Sequence, residues 1–273
     1  MANPASFPYS QSSLQAYDNC QRLFYLRYVQ KLDWPALVSE DSVAFEASRK
    51  AGLFFHQLIQ QVFLGVELAR LRKLADNYPL SAMTRWFDNF LEGGYLSLEG
   101  ENACEWQISV QFGEQILTAK YDLVHFGQTK ATIYDWKTST RIPHVNTLKK
   151  KLQSHVFPLV LNIWMEQNHR PQKANIEMVY WEAEQPDAPV SLHFDAAART
   201  ASASKISGLI NAIEQSYQEG FPKTQDIKWC KYCQFQTYCE RKGSDTVEAS
   251  DEHAVLYAQS LDNIGFNDEF TGE

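Results

Sequence analysis

Alternating apolar and polar residues in the middle of the chain predict a set of β-strands. The clearest pair is joined by a short link containing Gly127, and both partners are rich in β-branched and aromatic residues, as in a β-hairpin. Shorter runs of similar composition precede and follow this hairpin. The predicted strands are 105–112, 116–126, 131–136, 174–182 and 189–194.

Helical periodicity dominates the N-terminal region, the segment after the hairpin and the segment after the last strand. Ser10 is a candidate N-cap for the first helix, and Gly93-Gly94 and Gly220 are stop signals for two others. The predicted helices are 10–30, 43–74, 81–91, 145–168 and 195–219. This order of elements predicts an α/β fold with a mixed sheet and an N-terminal helical region.

Composition and charge describe a globular chain whose C-terminal end is acidic. The 273 residues are 44% hydrophobic, which is enough to bury a substantial core. The formal net charge is −8, and eight acidic residues with no Lys or Arg follow position 244. The preceding part is therefore near neutral, and the overall charge does not exclude a nucleic-acid partner.

The start of the chain has neither the basic region nor the apolar run of a signal peptide. No apolar run approaches the roughly 20 residues that a membrane span needs. We therefore expect a soluble, cytoplasmic protein without a membrane partner.

Five cysteines are present, and the last three form the pattern C-x₂-C-x₅-C: Cys20, Cys104, Cys230, Cys233 and Cys239. A disulfide framework is not expected without a secretory signal, whereas clustered thiols often bind metal. A closed site needs four ligands, so either Cys20 or Cys104 would supply the fourth. One distant cysteine with a C-terminal trio favours an iron–sulfur cluster over zinc, although both accept four thiolates. Three free buried thiols are the alternative.

A second candidate site lies in the hairpin. Asp135 and Lys137 are two positions apart on one strand and therefore share a face, and Asp122 can join them from the neighbouring strand. Two carboxylates and an ammonium on a sheet face are costly unless a cation and a substrate use them. A carboxylate-held divalent metal with a lysine beside it suits phosphodiester hydrolysis. Ordinary surface charges on a hairpin are the simpler interpretation.

Three other polar residues are candidates for the same site. His56 interrupts an apolar helix, Gln153 lies on the helix after the hairpin, and Glu105 opens the strand before it. The simpler interpretations are a hydrogen-bonded core histidine for His56 and an exposed helix residue for Gln153, and Glu105 is expected at the edge of the site.

Taken in order, these motifs resemble the RecB/AddB-like branch of the PD-(D/E)XK nuclease superfamily, which carries an iron–sulfur cluster and is related to CRISPR-associated adaptation exonucleases. The resemblance covers about residues 6–241. Phe157 stands where the family usually has tyrosine, and Ala119 where it often has glycine. The matching motifs are Ser10–Cys20, Gly52–His56, Asp122, Asp135–Lys137, Gln153–Phe157 and Cys230–Cys239.

The resemblance implies a restriction-endonuclease-like mixed central sheet flanked by helices, with a C-terminal iron–sulfur module. It implies that Lys137 activates water and that Gln153 positions DNA or this lysine, so that the catalytic residues would be Asp122, Asp135, Lys137 and Gln153. Mg²⁺ or Mn²⁺ would be bound by His56, Asp122, Asp135 and the Trp136 carbonyl. A [4Fe–4S] cluster would be bound by Cys20, Cys230, Cys233 and Cys239.

We expect a nuclease domain at residues 1–241 and an acidic, flexible tail at 242–273. Within the domain we expect a helical cap at about 36–100, a catalytic core at about 101–220 and the cysteine module at 228–241. Candidate DNA contacts are Arg22, Glu105, Lys149, Lys150 and Lys151.

The expected function is metal-dependent exonuclease cleavage of single-stranded DNA or DNA ends in repair, recombination or defence. The chain has no G-x-x-x-x-G-K-[ST] loop, so any helicase would be a separate protein. One alternative is a catalytically silent module that binds nucleic acid or a partner and carries a structural cluster. A zinc-clasped scaffold is another.

Overall fold

The computed structural model describes residues 7–32, 40–139, 143–170, 175–231 and 233–241. The predicted acidic tail, 242–273, lies outside the described residues. The described chain divides into two compact units, the first comprising residues 9–49 and 205–241 and the second residues 7–8 and 50–204. None of the described helices has both the length and the apolar composition of a membrane-spanning segment.

Helices and strands alternate much as the sequence pattern predicts. The α-helices are α1 (Gln11–Asn19), α2 (Gln21–Phe24), α3 (Glu40–Phe63), α4 (Leu68–Asp76), α5 (Ala82–Glu92), α6 (Val145–Lys150), α7 (Gln153–Gln167) and α8 (Ala196–Glu219). A π-helical turn, Tyr25–Val29, follows α2, and 3₁₀ turns lie at Tyr95–Ser97 and Ile227–Cys230. The strands are β1 (Pro8–Ser10), β2 (Glu101–Phe112), β3 (Gln115–Phe126), β4 (Ala131–Lys137), β5 (Ile176–Glu182) and β6 (Val190–Phe194).

Several predicted helix boundaries are wrong because a local break interrupts the apolar pattern. The helix predicted at 43–74 is two helices, α3 and α4, since Gly65 between them has φ of 79°. The helix predicted at 10–30 breaks at Cys20, whose backbone is extended. The helix predicted at 145–168 is likewise divided between α6 and α7. The predicted N-cap is confirmed, because the Ser10 side chain accepts a hydrogen bond from the Ser13 N–H.

The sheet of the second unit is mixed. Its strands follow the order β2, β3, β4, β5, β6. The β4–β5 pair is parallel, and the other three neighbouring pairs are antiparallel. With α7 against β2, β3 and β5, this confirms the predicted α/β fold with a mixed central sheet flanked by helices.

An aromatic core joins α3, α4 and α5 to one face of the sheet. The indoles of Trp136 on β4 and Trp181 on β5 meet edge to face, with ring centroids 5.6 Å apart. Phe55 from α3 stacks on Trp181, and Phe90 from α5 meets Trp136 edge-on. All four side chains are buried. Because side chains alternate along a strand, burial of Trp136 in this core directs Asp135 and Lys137 to the opposite face.

Helix α7 lies on that opposite face. The Tyr121 hydroxyl on β3 donates a hydrogen bond to the Phe157 carbonyl at 2.9 Å, and the two rings are 5.2 Å apart. Trp106 on β2 meets Trp164 edge to face at 4.6 Å. These contacts fix the start of α7, and with it Gln153, over the end of β4.

The side chains of β2 and β3 switch from one face of the sheet to the other at Glu105. Cys104 and its cross-strand partner Leu123 pack with the α3–α5 core, whereas Trp106 and Tyr121 contact α7. Residues two apart on a regular strand would share a face. The left-handed backbone of Glu105, with φ of 50°, breaks this alternation. The irregularity lies next to Asp122.

In the first unit, the N-terminal helices pack against the C-terminal part of the described chain. The Tyr17 hydroxyl donates to the Ala212 carbonyl at 2.8 Å, and the Arg22 N–H donates to the Pro222 carbonyl at 3.1 Å. Tyr25 stacks on Phe221 with ring centroids 5.1 Å apart. These contacts bring Cys20 towards the C-terminal cysteines.

Candidate active site

Three acidic and imidazole side chains from separate elements of the second unit converge. Their ligand atoms all lie within 4.8 Å of one another, and they are the only such group among the described residues: His56, Glu105 and Asp122. His56 Nδ1 is 3.2 Å from an Asp122 carboxylate oxygen and 4.0 Å from Glu105. The side chains are only 13–23% exposed. The structure therefore brings Glu105, predicted as a DNA contact, into contact distance of two predicted metal ligands.

A second set of polar side chains lies at the end of β4. Asp135 and Lys137 are almost fully buried, and the Lys137 Nζ is 3.0 Å from Asp135 Oδ2. The Gln153 amide donates to the other oxygen, Asp135 Oδ1, at 2.6 Å. The structure therefore places Asp135, Lys137 and Gln153 together, as the spacing of the sequence motifs suggested.

The backbone of Trp136 connects the two sets. The β3–β4 ladder ends at Leu123 opposite Tyr134, so Asp122 and Asp135 follow its last pair directly. Asp122 Oδ2 then accepts a hydrogen bond from the Trp136 N–H at 2.8 Å. Asp122 thus holds His56 with one oxygen and the peptide between Asp135 and Trp136 with the other.

Gly52 allows α3 to approach this strand end. A Cβ at position 52 would lie 3.2 Å from the Thr138 Oγ1, tighter than most contacts in proteins. The glycine therefore lets the helix pass close to the residue that follows Lys137, one turn before His56. This contact gives the G-x-x-x-H spacing a structural reason.

Charges within the group shift the pKa values of its members. Burial disfavours the charged imidazolium, but Asp122 and then Glu105 outweigh it and raise the pKa of His56 to about 9. Burial likewise disfavours the charge on Asp122, yet His56, Lys137 and the Trp136 N–H lower its pKa. His56 and Asp122 therefore form an ion pair at neutral pH, and a cation bound here would replace the imidazole proton.

The pKa values of the other two carboxyl groups, Asp135 and Glu105, are raised, whereas that of Asp122 is lowered. Burial raises the pKa of Asp135 to about 6, with Lys137 opposing the shift and Asp122 adding to it. Burial and Asp122 raise the pKa of Glu105, although Lys120 Nζ lies 2.7 Å from its Oε2. A site that gathers this much negative charge away from water is favourable for a cation.

The pKa of His56 predicts how the stability of the metal-free protein depends on pH. Because this pKa is raised above the unfolded value of 6.5, the contribution of His56 is fully present below pH 6.5. It is lost as the pH rises to about 9 and amounts to at most about 3 kcal/mol. Urea unfolding in EDTA at several pH values measures this loss.

His56→Gln is the comparison for this pH dependence. Without the imidazole, the free energy of unfolding should change less between pH 6.5 and 9 than it does in wild type, whatever its absolute value. Equal slopes for the two proteins would show that His56 does not carry a raised pKa.

The structure adds a residue that the sequence motifs do not include. Glu182, the last residue of β5, is 2% exposed and is the cross-strand partner of Lys137. Its Oε2 accepts a hydrogen bond from the Ser139 hydroxyl at 2.7 Å. The one signal in the sequence is an acid at the end of a mostly apolar strand, which is too common to identify a site.

The predicted DNA contacts separate in the structure. Lys149 and Lys150 in the last turn of α6 are exposed, whereas Lys151 is half-buried and its Nζ lies 5.8 Å from the centre of the Tyr180 ring. Arg22 belongs to the first unit, where it lies over the ring of Tyr25.

The four cysteines predicted to bind a cluster line one cavity of the first unit. They do not form a group with ligand atoms within 4.8 Å, whereas four sulfurs around one zinc ion would be only about 3.8 Å apart. Burial raises the pKa of Cys233 to about 12, and the other three thiols add to the shift. All five cysteines are free thiols, and Cys104, in the second unit, does not line this cavity.

Comparison with known proteins bears on the family and the fold of the chain. The model of the PD-(D/E)XK nuclease superfamily matches residues 8–240. A crystal structure of a "putative exonuclease" from Eubacterium rectale aligns with a TM-score of 0.54 and 10% identity, covering 86% of this chain and 88% of that one. The structure of SSO0001 aligns with a TM-score of 0.34 and 12% identity over 71% and 85%. No curated protein sequence is significantly similar. Because the family match spans most of its length, the chain belongs to the PD-(D/E)XK nuclease superfamily.

Proposed function

We propose that this protein is a metal-dependent deoxyribonuclease, acting as an exonuclease on single-stranded DNA or DNA ends. The observation that carries the proposal is the convergence of His56, Glu105 and Asp122 within 4.8 Å. Asp135, Lys137 and Gln153 are bound to one another beside this group and are linked to it through the Trp136 N–H. Membership of a nuclease superfamily makes a phosphodiester bond the expected substrate.

The donor atoms fit Mg²⁺ or Mn²⁺. Asp135 Oδ2 is buried and accepts no hydrogen bond from the described residues, although Lys137 Nζ lies 3.0 Å away. A cation would satisfy this oxygen, and one or two carboxylates with an imidazole are suitable ligands for these metals. We propose His56, Asp122, Asp135 and the Trp136 carbonyl as ligands, with Glu105 as a further acid of the group. The bound cation would supply an activated water and offset the negative charge that builds on the phosphate.

Lys137 is proposed to orient the attacking water or take its proton. Its ammonium is buried and lies beside Asp135, a proposed metal ligand. A cation bound there would repel the charged ammonium and so favour the neutral amine, which can accept a proton. Gln153 holds Asp135 Oδ1, which leaves Oδ2 as the oxygen available to the metal. Gln153 is therefore proposed to position the ligand rather than to react.

DNA would approach from the side of the exposed lysines. Lys149 and Lys150 at the end of α6 precede Gln153 by a few residues and are suited to phosphate contacts. Arg22 remains a proposed DNA contact from the first unit. A helicase is proposed as a partner that would unwind double-stranded substrates, since the sequence shows no P-loop motif.

We further propose that the protein belongs to the RecB/AddB-like branch and that Cys20, Cys230, Cys233 and Cys239 bind a [4Fe–4S] cluster. One observation supports this proposal: the four thiols line one cavity of the first unit. A cubane cluster is larger than one ion and accepts four thiolates. In this arrangement the cluster would join the N-terminal helices to the end of the nuclease domain, residues 1–241.

Cleavage of end-labelled DNA tests the nuclease proposal. Linear single-stranded, linear double-stranded and circular single-stranded DNA are incubated with Mn²⁺, with Mg²⁺ and with EDTA. We expect metal-dependent degradation of linear single strands, no cleavage of circles, and at least about a hundredfold slower cleavage by Lys137→Ala.

Other outcomes would change the assignment. Cleavage of circles would indicate an endonuclease. Equal cleavage by wild type and Lys137→Ala would indicate a contaminant, and DNA binding without any cleavage would favour the catalytically silent module.

A further inference from the structure

Glu182 is a buried acid that the proposed mechanism does not use. It is 2% exposed, and a carboxylate so far from water requires compensating partners. One partner is the Ser139 hydroxyl, which donates to Oε2 at 2.7 Å. This single neutral hydrogen bond is a small compensation for a buried charge, so further compensation has to come from neighbouring cations.

Two lysines from different elements provide that positive charge. Lys137 is the cross-strand partner of Glu182 in the parallel β4–β5 pair, and Lys151 lies between α6 and α7. Burial raises the pKa of Glu182 to about 7, while Ser139, Lys137 and Lys151 act against this shift and Asp135 adds to it. The strand register agrees for Lys137 and Asp135, because Lys137 is paired with Glu182 and Asp135 with Tyr180, two positions away on the same face of β5.

Each lysine has a second contact that limits its position. The Lys137 ammonium is 3.0 Å from Asp135 Oδ2, and the Lys151 ammonium lies over the Tyr180 ring at 5.8 Å. Tyr180 is itself held by Ser154, whose hydroxyl is 2.7 Å from the Tyr180 hydroxyl. Lys151 thus differs from the exposed Lys149 and Lys150, because its ammonium lies over Tyr180, which shares a face of β5 with Glu182.

We propose that Glu182 is a positioning residue that holds the ammonium groups of Lys137 and Lys151 beside the candidate metal site. Asp135 alone cannot hold the Lys137 ammonium once its Oδ2 binds a cation, because the cation and Lys137 then compete for the same oxygen. A second carboxylate on the neighbouring strand keeps Lys137 in place while the metal is bound. It also orients Lys151 towards the site, where it can contact a substrate phosphate.

The role in catalysis rests on the proposed nuclease function, but the pairing of Glu182 with the lysines can be tested without activity. Glu182→Gln retains an acceptor for Ser139 and removes only the charge, whereas Ser139→Ala retains the charge and removes the hydrogen bond. Glu177→Gln is the matched control, since Glu177 is a buried acid on the same strand, about 16 Å away, and pairs with Lys130.

The first measurement is a double-mutant cycle on the urea midpoint of unfolding in EDTA, combining Glu182→Gln with Lys137→Met and with Lys151→Met. We expect the midpoint shift caused by Glu182→Gln to be more stabilising, or less destabilising, in either lysine variant than in wild type, because the buried carboxylate has lost one cationic neighbour there. Glu177→Gln should have the same effect in all three backgrounds. If the effect of Glu182→Gln were the same in wild type, Lys137→Met and Lys151→Met, the proposal would be overturned.

The second measurement is Mn²⁺-dependent cleavage of linear single-stranded DNA. We expect Glu182→Gln to lower kcat by about tenfold to a hundredfold, with the Mn²⁺ concentration for half-maximal rate nearly unchanged. Glu182→Asp should recover part of the rate, and Ser139→Ala should have a smaller effect. Full kcat in Glu182→Gln, or a loss explained by weaker Mn²⁺ binding, would overturn the positioning role. If wild type itself does not cleave DNA, the proposed function fails, while the cycle still decides whether Glu182 holds the lysines.

Discussion

Replacing Asp135 with asparagine is expected to lower the rate of Mn²⁺-dependent DNA cleavage by about a thousandfold or more. Asparagine has nearly the same shape and can still bond to Gln153, but it removes the charge of a buried oxygen that accepts no other hydrogen bond from the described residues. A cation would lose an anionic ligand, and Lys137 would lose its ion pair. Single-turnover cleavage of labelled single-stranded DNA measures the change.

The thermal stability of the metal-free variant is the internal control. Asp135 has a pKa raised to about 6 by burial, so neutralising it should not destabilise the metal-free fold strongly. Glu177→Gln, which removes an acid from β5 next to Lys130, should retain wild-type cleavage. An Asp135→Asn variant that folds and cleaves at the wild-type rate would refute the proposed metal site.

Cys233→Ser is expected to abolish iron and sulfide binding in anaerobically purified protein and to lower the thermal unfolding midpoint sharply. The reason is that a cluster bound by Cys20 and Cys230 would close a loop of about 210 residues, and the chain-entropy estimate for such a crosslink is roughly 5 kcal/mol. Iron and sulfide analysis, visible absorption and thermal unfolding of the same preparation provide the measurements.

Cys104→Ser is the matched control for this experiment. Cys104 is a half-buried thiol in the second unit and does not line the cavity of the other four. The Cys104→Ser protein should bind as much iron as wild type. Equal iron content in Cys233→Ser and Cys104→Ser would exclude the four-cysteine cluster, and zinc without iron in wild type would replace it with a zinc-clasped scaffold.

The sequence predicted those parts of the site that depend on short-range periodicity. Asp135 and Lys137 share a face because strand residues two apart always do so, and their partner Gln153 lies at the first turn of the next long helix. The hairpin carrying Asp122 was predicted from its composition and link. The N-cap at Ser10 was also a local prediction, and it correctly placed the start of α1.

The sequence did not predict two features that depend on a backbone irregularity and on strand register. Glu105 was expected at the edge of the site as a DNA contact, and it lies within 4.8 Å of His56 and Asp122 because its left-handed backbone reverses the facing of β2. A glutamate with positive φ has no sequence signature. Glu182 was missed for a similar reason, since its position beside Lys137 follows from the parallel register of β4 and β5.

The sequence alone determined the type of fold, the residues available for chemistry and the motif order that places the chain among nucleases, because periodicity and residue type are properties of neighbouring positions. Only the tertiary structure decided that Glu105 joins the site, that Gln153 binds one oxygen of Asp135 while Lys137 lies beside the other, and that Lys137 is the strand partner of Glu182. These depend on distances between atoms far apart in the chain, set by packing of α3 and α7 against the sheet.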